Sequence, residues 1–147
     1  MKEFEKEITS LDRYYNNQLN YIAKDNKQYG VSGILTYDKW CSEWFNFETI
    51  KINGLEDNKH LLEKFNFIPN INSIHLYVKL QEGHSFDFHR DNCDVYLYVL
   101  KGHKEVWVEG KTTHLKENEG VYIPKGALHK VISTKDTWGL SVGYSNV

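Results

Sequence analysis

Ile74-His75-Leu76-Tyr77-Val78-Lys79-Leu80 places an apolar aliphatic side chain at every second position, the period of a half-buried strand. Working toward the C-terminus, similar short runs follow at His84 to Asp91, Val95 to Leu100, Lys104 to Val108, Thr112 to Lys116, Gly120 to Ile123, His129 to Ser133 and Trp138 to Tyr144. Gly83, Gly102, Gly110 and Gly126 stand at or near the breaks. Eight strand-like runs in about 70 residues predict a mainly β domain, closed as a barrel or sandwich so that few strand edges face water.

Toward the N-terminus the pattern changes. Phe4, Ile8, Leu11, Tyr15, Leu19 and Ile22 are spaced by 4, 3, 4, 4 and 3 residues, which predicts a helix over residues 1 to about 23 that braces the outside of the barrel or meets a second copy in a homodimer. Val31 to Tyr37 and Trp44 to Ile52 are expected to be strands, and Glu56 to Phe65 a short helix ending before Pro69. Trp40, Cys41 and Trp44 form an aromatic-rich cluster, read as core packing or as lining of the barrel mouth. The 147 residues are about the size of one domain, with residues 1–70 as helices and extra strands and 71–147 as the barrel.

The composition narrows the function classes. Eighteen basic residues against 20 acidic ones leave no excess positive charge for a phosphate backbone or an anionic membrane, so nucleic acid is not expected as a ligand. There is no apolar run long enough to span a bilayer and no leader-like start, so a soluble, cytoplasmic protein is expected. Cys41 and Cys93 are too few for a disulfide framework and too far apart for a paired-cysteine site.

The chemistry is concentrated in two short segments. In His89-Arg90-Asp91 the outer side chains share one strand face, close enough to bind a single ion. In Pro124-Lys125-Gly126-Ala127-Leu128-His129 a turn delivers a second histidine at the start of a strand. Two imidazoles and one carboxylate on one side of a metal leave open positions opposite, an arrangement typical of non-haem Fe(II) oxygenases. Asp87 shares strand parity with His89 and Asp91, as a hydrogen-bond acceptor for a ligand or a contact to substrate. Cys93 reads as a turn-proximal thiol, with a thiolate ligand as the alternative, and the other five histidines have no partner at ligand spacing.

These segments resemble the cupin superfamily. Gly83, His89-Arg90-Asp91 and Gly102 match its first motif in outline, and Pro124-x-Gly126-x-x-His129 its second, with Asn118 in place of the usual glycine six residues before the proline. The resemblance covers about half the chain and implies a double-stranded β-helix with His89, Asp91 and His129 holding a metal in the barrel mouth. Within the superfamily, Asp91, Val95 and Tyr96 depart from the ordinary metal-cupin ligand set. His89-Arg90-Asp91, ten residues and Gly102-His103-Lys104 look instead like the JmjC-type Fe(II)- and 2-oxoglutarate-dependent oxygenases, where the lysine two places after the glycine anchors the distal carboxylate of 2-oxoglutarate. Lys104 takes that place. Trp138 to Tyr144 has no cation to serve as the alternative anchor, and Arg13 and Arg90 are the chain's two arginines. Tyr77, Tyr98 and Tyr122 are candidates for an additional hydroxyl contact to the cosubstrate.

The resemblance implies hydroxylation of a C–H bond on a small molecule or a protein side chain, with Fe(II) bound and 2-oxoglutarate consumed. Two other readings stay open. One is a metal cupin without 2-oxoglutarate, a small dioxygenase, isomerase or lyase, favoured by the short interval from Gly102 to His129. The other is a non-catalytic ligand-binding barrel.

Overall fold

In the computed structural model the described residues are 19–23, 28–31, 47–52, 54–79, 83–84, 88–134 and 136–146. Among them, β1 (Leu19–Ala23), β2 (Gln28–Val31) and β3 (Phe47–Ile52) precede a short helix, α1 (Lys59–Lys64). The barrel strands are β4 (Ile71–Lys79), β5 (Gly83–His84), β6 (Asp94–Lys101), β7 (Lys104–Val108), β8 (Lys111–Leu115), β9 (Gly120–Ile123), β10 (His129–Ser133) and β11 (Thr137–Tyr144). They form two antiparallel sheets, β2-β1-β3-β4-β11-β6-β9 and β5-β10-β7-β8.

Period-two alternation gives the large sheet two distinct faces. On its outer face Ile74, Leu76 and Val78 of β4 and Leu140 and Val142 of β11 pack with Leu61 and Phe65 from the α1 segment, all almost fully buried. The Asn58 side chain caps α1 by accepting a hydrogen bond from the Leu61 N–H at 3.1 Å, which holds this cover in place. On the inner face Val95, Leu97 and Val99 of β6 meet Val106, Leu115 and Ile123 in the barrel interior. Because both faces are covered, β6 reads as a nearly continuous apolar run rather than a clean alternation.

Asn118 has φ +65°, so the place usually held by glycine in the second cupin motif keeps a left-handed backbone here. Asparagine tolerates that conformation better than most residues. Its side chain also accepts a hydrogen bond from the Tyr98 hydroxyl at 2.9 Å.

Several sequence expectations are corrected. Residues 19–23 form β1, paired with β2 and β3, rather than the end of a helix. Leu19-Asn20-Tyr21-Ile22-Ala23 also fits a strand, with a β-branched and an aromatic residue, and pairing decides between the two periods. Of the strand expected at Val31 to Tyr37, Val31 is the last residue of β2 (Gln28–Val31), and residues 32–37 lie outside the described residues. The run His84 to Asp91 is not a continuous strand: after β5, His89 forms an isolated bridge with His129. The remainder of the predicted N-terminal helix, the Trp40, Cys41 and Trp44 cluster and Asp87 lie outside the described residues. Among the described residues no helix is long and apolar enough to cross a membrane.

Candidate metal centre

The two sequence motifs meet at the barrel mouth because the backbone zips them together. His89 N–H donates to the His129 carbonyl and His129 N–H to the His89 carbonyl, both at 3.0 Å, while Gly126 N–H donates to the Asp91 carbonyl at 3.1 Å. A φ of +81° at Gly126 makes the turn before His129 one that glycine accommodates without strain. Asp94 accepts from the Lys125 N–H at 2.9 Å, tying the turn to the start of β6.

His89, Asp91 and His129 therefore present ligating atoms that all lie within 4.8 Å of one another. His129 Nε2 is 3.1 Å from Asp91 Oδ2, and His89 Nε2 is 3.9 Å from Asp91 Oδ1. Ligands about 2.1 Å from a shared ion sit about 3 Å apart on one face of it, so a slight contraction would let these three hold a transition metal. His129 Nδ1 lies 3.0 Å from the Ala127 carbonyl, which favours the tautomer that leaves Nε2 with its lone pair toward the site. Burial pushes the His129 imidazole down, but the hydrogen bonds with Asp91 and Ala127 and the Asp91 charge outweigh it, so His129 sits above its ordinary value.

Below the triad the cavity continues between the sheets, lined by Tyr77, Lys104, His75, Ser141, Leu97 and Val131 among others. The register explains this lining: Tyr77 pairs with Gly139 and His75 with Ser141 between β4 and β11, while Lys104 pairs with Ser133 between β7 and β10. A Cβ at Gly139 would collide with the Nζ and Cε of Lys104, so the missing side chain makes room for the lysine. Lys104 is 5% exposed, its ammonium lies 5.9 Å from the Tyr77 ring centre, and among the described residues no carboxylate pairs with it. Burial holds its pKa down at about 8. Burial first, and then the Asp91 charge, push the Tyr77 phenol up and keep it protonated, able to donate a hydrogen bond.

The five residues singled out in the sequence, His89, Asp91, His129, Lys104 and Tyr77, thus line one cavity. Of the other tyrosine candidates, Tyr98 is bonded to Asn118 and packs in the outer core, and Tyr122 is exposed against Tyr96. Cys93 also lines the cavity, and burial followed by the Asp91 and Asp94 charges raise its thiol. His75, Ser73 and Ser141 are lining residues that the sequence reading passed over. Strand parity with Tyr77 was the signal for His75 and Ser73.

Residues 76–142 match the cupin domain family. The barrel has a cupin-type fold and is similar to that family over the matched stretch. A protein of Aquifex aeolicus described as uncharacterized is 36% identical over 73 residues, which cover 50% of this chain and 58% of that protein. YcfD, a ribosomal oxygenase from Escherichia coli, superposes with a TM-score of 0.72 at 18% identity, over 100% of this chain and 44% of its own. YcfD in complex with cobalt and 2-oxoglutarate gives a TM-score of 0.68. KdgF from Halomonas sp. gives 0.52 at 14% identity, over 68% of this chain and 81% of its own. At such identities the likeness to solved structures is one of fold, and the chain spans only about half the length of the Aquifex relative and of YcfD.

Proposed function

We propose that this barrel is an Fe(II)- and 2-oxoglutarate-dependent oxygenase, a hydroxylase acting on a small molecule or on a side chain of a macromolecule. The observation that carries the reading is Lys104, a buried lysine without a carboxylate partner among the described residues, in the same cavity as two histidines and an aspartate. Burying an ammonium in this way is costly unless an anion joins it. A dianionic cosubstrate that reaches from the triad to Lys104 supplies that anion.

In this reading His89, Asp91 and His129 hold Fe(II), with the Ala127 carbonyl keeping His129 in the ligating tautomer. Lys104 pairs with the distal carboxylate of 2-oxoglutarate, and the Tyr77 hydroxyl donates to the same group. Val95, Leu97, Ile123 and Val131 line the cavity with apolar surface and exclude water. The chemistry supplied at the metal is activation of O2, one oxygen atom entering succinate as 2-oxoglutarate loses CO2 and the other becoming the hydroxyl of the product.

Anaerobic addition of Fe(II) and then 2-oxoglutarate is expected to give a weak visible charge-transfer band, and admission of air slow succinate release without added substrate. Metal bound in the absence of both signals would instead favour a second reading, a metal cupin that uses the ion as a Lewis acid. That alternative is supported by the compact interval between Gly102 and His129 and by the fold shared with KdgF.

A further inference from the structure

We propose that Arg90 and Glu109 form a clamp on the solvent side of the triad that sets the spacing of His89 and Asp91 against His129; this rests on reading the triad as a metal site. Among the described residues, backbone pairing ties His89 and Asp91 to the second motif through one isolated bridge and the Gly126 N–H to Asp91 carbonyl bond rather than through a strand ladder, so side-chain contacts have a share in bracing them. Arg90 stands between them in the chain. Its Nη1 donates to the Gly126 carbonyl at 2.6 Å and to Glu109 Oε1 at 3.3 Å.

Glu109 reaches the other motif. Its Oε1 accepts from the Leu128 N–H at 2.7 Å, and its own N–H donates to the Leu128 carbonyl at 2.9 Å, so the residue before His129 is bracketed on both sides. Glu109 adopts φ +46° at the turn between β7 and β8. The clamp therefore connects three separate segments: the first motif through Arg90, the β7–β8 turn through Glu109, and the second motif through Gly126 and Leu128. Asp94 anchors the opposite side of the same turn through Lys125 and is itself bonded to Asn146, so the turn is gripped at two points.

A merely structural ion pair would act differently. The Arg90 and Glu109 side chains are 58% and 56% exposed, and pairs as open as this contribute little to global stability. Groups that orient metal ligands, by contrast, change metal affinity by about 10- to 100-fold when removed. Arg90 and Glu109 are accordingly positioning residues, acting through the backbone of the ligand segments and not on the metal.

The test measures Co(II) affinity by titration and the melting temperature of the metal-free protein. Arg90→Ala and Glu109→Ala are each expected to weaken Co(II) binding about tenfold or more, with melting temperature changed by no more than about 3 °C. Combined, the two losses should fall short of multiplying, because they break one connected unit. Arg90→Lys should recover part of the affinity, since one amine can meet one of the two acceptors, and Glu109→Gln should retain the acceptor for Leu128. These milder variants carry the test if an alanine variant fails to fold. Wild-type affinity in Arg90→Ala, losses that multiply, or an affinity loss that merely follows a fall in melting temperature would each overturn the clamp. A folded wild-type protein that binds no Co(II) would instead remove the metal-site reading, and the clamp with it.

Discussion

The outer and inner faces of β4 and β11 are built from neighbouring residues but to opposite ends. Outward, Ile74, Leu76, Val78, Leu140 and Val142 are buried to within 2% exposure among apolar neighbours. Inward, the same two strands offer Tyr77, His75 and Ser141, with glycine at 139 and 143, and face a buried lysine across the cavity. The outer face gains stability from close packing. The inner one gives some up, keeping polar groups and a desolvated charge where aliphatic side chains would pack better, and such concessions mark sites kept for a ligand.

The contrast is tested most strongly by Lys104→Met, which keeps much of the volume and removes the charge. Affinity for 2-oxoglutarate, measured with Co(II) or Mn(II) present, should fall by about 100-fold or more, since a charged hydrogen-bonding partner to a buried carboxylate contributes about 2–5 kcal/mol. The metal-free variant should nevertheless be more stable than wild type in urea at neutral pH. Unchanged affinity would remove Lys104 from the cosubstrate site. On the opposite face, Leu140→Ala should cost about 3 kcal/mol of stability, the usual penalty for a fully buried leucine, while leaving the Co(II) affinity of the folded protein within about twofold. A large change in metal affinity there would mean that the two faces are not separable.

Gly139 lies where the faces meet through the backbone. Gly139→Ala puts a methyl group against the Lys104 side chain and the Tyr98 carbonyl, so the lysine must shift. The expected result is 2-oxoglutarate binding weakened about tenfold, less than in Lys104→Met, with Co(II) binding retained. Equal loss of both ligands would indicate damage to the barrel as a whole.

The fold was legible where one residue decides its own direction. Alternation at Ile74 to Leu80 and turns at Gly102, Gly110 and Gly126 are local signals, and the strands they predicted are present. It was misread at Leu19–Ala23, where helical and strand periods coincide and a distant partner strand settles the matter. The triad and Lys104 were readable because two motifs carry them at fixed spacing. His75 opposite Ser141, and Arg90 against Glu109, depend on contacts between residues 66 and 19 positions apart, which no local pattern encodes. The scarcity of arginine bears on the cation missing from the last strand, and Arg90 also donates to the Gly126 carbonyl in the turn before His129.

The finest test of the two faces is pH. Lys104 has a folded-state pKa of about 8 against an ordinary 10.5, so between those values the unfolded chain binds more protons and the lysine's contribution to stability rises with pH. Below about pH 8 both states are charged and the full penalty applies, about 3 kcal/mol from the size of the shift. The stability advantage of Lys104→Met over wild type, with no metal or 2-oxoglutarate present, should therefore be greatest at pH 7 and shrink steadily toward pH 10. Subtracting the two urea curves cancels the other lysines and tyrosines that titrate in the same range. Binding should move the opposite way: 2-oxoglutarate needs the ammonium form, so its affinity for wild type should decline above about pH 8 while the residual affinity of Lys104→Met stays flat. A stability gap independent of pH would mean that the lysine is solvated in the free protein, and the inner face would then hold no unpaired charge in reserve for a ligand.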